Sequence, residues 1–122
     1  MTVAAAESGV KAVLCEKPMA LNLGEADQML QACEKSGTKL VIGHQHRFDP
    51  QTVSVTDLIK GHALGELQWV FGYCNSKDLL SNGTHVVDLI RYFVSDSPVK
   101  WVMGQIDRPS DKADFGHRVL AV

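Results

Sequence analysis

Long apolar runs are missing from this 122-residue chain: no stretch of consecutive Ala, Val, Ile, Leu, Met, Phe, Trp, Tyr or Cys exceeds four residues, as in Val3 to Ala6 and Val119 to Val122. A membrane-spanning helix needs about 20 such residues, so no membrane partner is expected. An excess of positive charge is missing too. Twelve Lys plus Arg stand against 14 Asp plus Glu, for a formal charge of -2 and a pI near 6.2, which leaves no basic surplus to grip a phosphate backbone. Nucleic acid is therefore not an expected partner. The three cysteines, Cys15, Cys33 and Cys74, form no Cys-x-x-Cys pair and are read as reduced, structural residues. The opening Met1 to Glu7 lacks a basic region followed by a long apolar stretch, and the expected location is the cytoplasm. What is present, 45% apolar and 21% charged residues in 13.3 kDa, is the composition of one globular domain or parts of two.

Along the chain, Thr2 to Ser8 is Ala-rich and stops at Gly9, like the last turns of a helix with a glycine past its end. Lys11 to Cys15 reads as a short buried strand that delivers Glu16-Lys17-Pro18 to its C-terminal end. Asn22 caps the next helix with Glu25 as its capping-box partner. Leu23, Ala26, Met29, Leu30 and Cys33 make its apolar face, and Gly37 ends it. Lys39 to Ile42 follows as a second apolar strand, so strand, helix, strand predicts a parallel βαβ crossover. From Gly43 the character changes to polar and aromatic, and the spacing predicts a domain boundary there, with residues 1–43 on one side and 44–122 on the other. Beyond it, Asp49-Pro50 predicts a capped helix to Lys60 resting on Val55, Leu58 and Ile59. Glu66 to Tyr73 predicts a strand, and Thr84 to Val94 a helix with Val86, Leu89, Ile90 and Phe93 buried. Val99 to Gln105 and His117 to Val122 predict two further strands, with a charged loop from Asp107 to Phe115 between them.

Three sets of residues have the right types for chemistry. Lys17 stands where a parallel strand ends, the edge on which open α/β sheets bind ligands, and Pro18 restricts it to extended geometry. The plain alternative is a surface turn. His85 falls in the first turn of a helix, where the helix N-terminus favours a neutral, proton-accepting imidazole, and Asp88 one turn on could orient a ring nitrogen. The alternative is a capping histidine with a solvated aspartate. His44-x-His46, at a strand end, would place two imidazoles on one face as a metal site needs, with His62, Asp49 or the His85/Asp88 pair as possible third ligands. None of these stands at a recognised ligand spacing, so no metal is expected and the pair reads as a pocket wall.

Taken in order, Glu16-Lys17-Pro18, the Asn22 to Ser36 helix, Lys39 to Gly43, Arg47-Phe48-Asp49-Pro50, Gly65-Glu66-Leu67, and Gly83-Thr84-His85 with Asp88 resemble the Gfo/Idh/MocA family. The resemblance implies an α/β fold. Residues 1–43 would be the C-terminal portion of an NAD(P)-binding Rossmann domain, a βαβ unit. Residues 44–122 would begin an α+β substrate domain with an open, mainly antiparallel sheet. It implies NAD or NADP as cofactor, held by Glu16, Lys17 and Pro18. Lys17 and His85 would be the catalytic pair, and Arg47, Ser81 and Asp88 would line the pocket for a small sugar or polyol-like substrate. A homo-oligomeric parent is implied as well.

Two departures from the family pattern stand out. Ser81 occupies the position four before the histidine, where many members carry an aspartate, and no Gly-x-Gly-x-x-Gly phosphate cradle occurs anywhere in the chain. The expectation is an internal segment of a longer oxidoreductase, inactive alone. The alternatives are a non-catalytic remnant that oligomerises through the Leu67 to Tyr73 strand, and a histidine-based metal-binding module.

Overall fold

A computed structural model describes residues 1–74 and 79–104 and divides the chain into two compact units, Met1–His44 and Gln45–Val122. The first unit is built from helix α1 (Thr2–Glu7), strand β1 (Ala12–Cys15), helix α2 (Leu23–Ser36) and strand β2 (Lys39–Ile42). The strands pair in parallel, with Ala12 opposite Lys39 and Cys15 opposite Ile42, so the expected βαβ crossover forms. Its junctions are local. Asn22 accepts the Glu25 N–H at 2.9 Å, and the Glu25 carboxylate answers by accepting from Leu21 N at 3.2 Å. Gly37 ends α2 with φ of 72°, a left-handed turn that lets Thr38 N reach back to the Cys33 carbonyl at 2.9 Å. The Thr38 hydroxyl, buried, then donates to the Val10 carbonyl at 2.7 Å and sews the start of β2 to the approach of β1.

Burial in this unit is narrower than the pattern predicts. Ala6 on α1 and Met29 and Cys33 on α2 form the buried apolar set, while Leu23 is 83% and Leu30 53% exposed. α2 packs on α1 and on β2 along a single stripe, which covers the Met29–Cys33 row and leaves its flanks open. Both strands are covered on one face, because alternate residues are half-buried and Leu14 and Val41 point the other way, exposed. β1 is thus half-buried instead of fully buried.

Among its described residues the second unit is helical where it is regular. A 3-10 helix over Gln45–Phe48 leads into α3 (Pro50–Lys60), and a π-helical turn over Leu79–Gly83 runs directly into α4 (Thr84–Phe93). α3 and α4 pack together, and both touch the 3-10 helix. α3 buries Thr56, whose hydroxyl is returned to the Thr52 carbonyl at 2.7 Å, so a threonine can sit inside without an unmet donor. Thr52 and Ile59 share that side, whereas Val55 and Leu58, expected inside, are exposed.

The largest difference concerns the substrate-domain sheet. Residues 66–73 and 99–104 carry no strand pairing, because neither meets a partner among the described residues and a strand without a ladder leaves its backbone groups to water. The last residue of the expected strand from Val99, Gln105, and the strand at His117–Val122, with the loop before it, lie outside the described residues. The 66–74 segment still presents two faces. Gly72 lies against Val86 and Ile90 of α4, closely enough that a Cβ there would collide with Val86, while Leu67, Trp69, Phe71 and Tyr73 are exposed on the alternate positions. Among the described residues no helix is long and apolar enough to cross a membrane.

Candidate active site

In the first unit, the parallel pair ends with Cys15 and Ile42 side by side, so Glu16-Lys17 and Gly43-His44 leave the sheet from adjacent C-terminal ends. The Lys17–Pro18 bond is cis, and both residues are half-buried. The Glu16 carboxylate lies over Gly43, where a Cβ would stand 3.2 Å from Glu16 Oε2; glycine there leaves room for that side chain at the strand edge. The residues expected at the nicotinamide end of the cofactor site, Glu16, Lys17 and Pro18, thus lie together just past the C-terminal end of β1. The pyrophosphate cradle belongs to a motif this sequence does not contain.

In the second unit, α4 carries His85 and Asp88, and the 3-10 helix carries His46 and Arg47. His85 is buried. Because the π-helical turn runs straight into α4, His85 does not sit among the open amides of a helix start, so the expected helix-end field is weakened at this position. Asp88 is engaged by Arg47: Nε donates to Oδ2 at 2.8 Å and Nη2 to Oδ1 at 2.7 Å. The same guanidinium donates through Nη1 and Nη2 to Asp96 at 2.9 and 3.1 Å and lies 4.9 Å from the centre of the Tyr92 ring. Its hydrogen bonds to Asp88 and then Asp96 raise the Arg47 pKa above its ordinary value, and accepting from Arg47 holds Asp96 below the ordinary carboxylate value.

His46 Nδ1 stands 2.7 Å from Asp49 Oδ2, and its ring meets that of His85 edge-on, 4.5 Å between centres and 69° between planes. Asp49 is the N-cap of α3 in position, yet its side chain makes no capping bond; the carboxylate turns to His46 instead. An open cavity of about 310 Å3 is lined by His46, Asp49, Thr52, Cys74, Asn82, His85, Val86 and Leu89. Its polar groups stand beside an apolar patch from Val86 and Leu89, a lining suited to a small molecule with both hydroxyls and C–H surface. Ser81 is exposed in the π-helical turn, and its carbonyl accepts from the Thr84 hydroxyl at 3.3 Å.

The histidine pair expected at the end of β2 is not a period-two pair. β2 stops at Ile42 and His46 belongs to the 3-10 helix, so the strand geometry that would put both rings on one face does not extend to it. Among the described residues no group of three His, Cys, Asp or Glu side chains comes together as a metal site would require. The three cysteines are free thiols. Asp49 and Asp96 as partners of His46 and Arg47 were not anticipated. The first could be read from the i, i+3 spacing once a helical turn is placed there, while the second has no local signal.

Residues 1–44 match the family model described as "Oxidoreductase family, NAD-binding Rossmann fold". Those residues are similar to the Gfo/Idh/MocA oxidoreductases. The chain is 29% identical over 108 residues to a D-apiose dehydrogenase of Paraburkholderia graminis, covering 75% of this chain and 28% of that protein. It is 32% identical over 97 residues to an inositol 2-dehydrogenase of Rubrobacter xylanophilus, covering 70% and 28%. Among solved structures, an aldose-aldose oxidoreductase from Caulobacter crescentus, complexed with glycerol, superposes with a TM-score of 0.71 at 28% identity, over 97% of this chain and 40% of that one. An oxidoreductase from Agrobacterium radiobacter, in complex with NAD+, L-tartaric acid and magnesium, gives 0.73 at 19% identity over 99% and 43%. The chain thus spans under a third of the length of these two curated relatives.

Proposed function

We propose that this chain is part of an NAD(P)-dependent oxidoreductase acting on the CH–OH group of a sugar, polyol or related substrate, and that the 122 residues alone are inactive. The observation that carries this reading is Lys17 at the C-terminal edge of a parallel pair, within the residues that match the NAD-binding model. The relatives named for apiose, inositol and aldose chemistry support the substrate class. Glu16, Lys17 and Pro18 would hold the nicotinamide end of the cofactor. When bound, that cofactor supplies the hydride acceptor.

In this reading His85 takes the proton from the reacting hydroxyl as general base, and Lys17 donates a hydrogen bond to the oxygen as negative charge develops on it. Arg47 and Asp88, bonded to each other, hold the 3-10 helix against α4 beside His85; direct hydroxyl contacts then fall to cavity groups such as Asn82 and Thr52, with Ser81 in the turn that leads into α4. The antiparallel substrate sheet belongs to the same proposal, with 66–73 as one of its strands and α4 close to it at Gly72. The domain limits, 1–43 and 44–122, go with it.

The test is to extend the reading frame through its flanking DNA, express the extended protein, and follow NAD(P)H formation with a panel of aldoses and cyclic polyols. Lys17→Met and His85→Gln are each expected to lower kcat by about 100-fold or more. Full activity in both variants would overturn the assignment of the pair, and turnover by the 122-residue chain alone would overturn its predicted inactivity.

A further inference from the structure

The 3-10 helix and α4 are tied by two rungs. One is polar, Arg47 to Asp88, with paired hydrogen bonds of 2.8 and 2.7 Å. The other is aromatic, His46 edge-on to His85 at 4.5 Å. The rungs are adjacent, because 46 and 47 are neighbours and 85 and 88 lie one turn apart on α4. Behind the aromatic rung stands Asp49. A carboxylate oxygen is an acceptor, so the 2.7 Å contact with Oδ2 matches the His46 ring that carries its proton on Nδ1. Asp49 makes this contact from the N-cap of α3 in place of a capping bond, so the geometry serves the histidine at the helix's expense.

We propose that His46 is a positioning residue for His85: Asp49 fixes the His46 ring, and the fixed ring holds the imidazole of His85 in one orientation against the cavity they share. His46 acts here through His85 and makes no bond to the reacting atoms. The catalytic consequence rests on the dehydrogenase reading above, but the orientation itself does not. A general base works only when its nitrogen is aimed at the proton it removes, and a small misplacement of such a group lowers the rate steeply.

The experiment uses the 122-residue chain with 15N-labelled histidine and reads the ring nitrogen and carbon-bound proton signals of both residues. His46 is expected to show a protonated Nδ1, lost in Asp49→Asn, and His85 a single narrow set of ring signals. In His46→Ala the His85 signals are expected to shift and broaden into an averaged set, and His46→Phe, which keeps an aromatic edge, restores them. Amide signals of α4 report whether each variant is folded, and Asp49→Asn serves as the second variant should His46→Ala unfold. Unchanged His85 ring signals in a folded His46→Ala protein overturn the proposal. In the extended enzyme, His46→Ala is expected to lower kcat on the order of tenfold with KM little changed, and His46→Phe to recover most of it. Loss of ring order without any effect of His85→Gln on turnover would overturn the function and leave the positioning intact.

Discussion

Residues 1–44 and the residues from 45 onward are stabilised by different kinds of contact. In the first unit the specific bonds are backbone bonds and their caps: the β1–β2 ladder, the Asn22–Glu25 box, the left-handed Gly37 and the Thr38 hydroxyl on Val10. In the second, the named links between elements are side-chain links, with Arg47 joined to two aspartates and His46 to Asp49 and His85. Backbone bonds tolerate almost any side chain, so a unit built on them can drift in sequence and keep its fold. A unit built on charged side chains is sensitive to single substitutions at its hub, and those substitutions act where the site is.

The largest expected effect is therefore at Arg47. Arg47→Leu leaves Asp88, whose side chain is 15% exposed, without its cation, and is expected to destabilise the second unit by about 2–3 kcal/mol, read from urea unfolding or from hydrogen exchange of the α4 amides. Arg47→Lys restores the charge without the paired geometry and is expected to recover only part of it. A neutral result for Arg47→Leu would show that apolar packing, not the guanidinium, holds the 3-10 helix to α4, and the contrast between the units would collapse.

A smaller effect is expected at Gly37 in the first unit. With φ of 72° and nothing within 4 Å of a built Cβ, Gly37→Ala meets no clash and costs only the left-handed backbone, about 1 kcal/mol by urea unfolding. A cost well above this would mean that the turn is coupled to more than its own dihedral angles, for instance through Thr38.

The same division explains what could be read in advance. Asn22, Glu25, Gly37 and the two apolar runs act within a few residues of one another, and each has one common use, so the crossover was legible. Arg47 and Asp88 are 41 positions apart and Arg47 and Asp96 49 apart; no spacing rule links them, and only the fold brings them together. Asp49 misled in an instructive way. Its position before Pro50 marks a helix cap, and the helix does start there, but the carboxylate had two suitors and went to His46. The buried face of α3 was missed because Thr56 can bury its hydroxyl on its own helix, an option that apolar counting ignores. The expected strand at 66–73 has the alternation of a strand and one packed face at Gly72, yet a strand is defined by its neighbours, and pattern alone does not supply them.

The smallest effect is also the most specific test of the Arg47 hub. Asp96 is delivered by a left-handed pair, Ser95 with φ of 56° and Asp96 with φ of 52°, and its pKa is lowered in the folded protein by the bond to Arg47. A carboxylate with a depressed folded pKa binds its proton more tightly when unfolded. Its contribution is therefore complete above the ordinary aspartate range, near pH 4, and is lost as pH falls through that range toward the lower folded value. Arg47, with its pKa raised, stays cationic in both states through this window and adds no slope of its own. Stability against urea is thus expected to fall more steeply below pH 4 in the natural chain than in Asp96→Asn. Asp96 is 45% exposed on its side chain, so the difference is expected to be small and to shrink with added salt. Equal slopes in both proteins would show that Asp96 follows Arg47 without holding it, and would leave Asp88 as the one aspartate on which the hub depends.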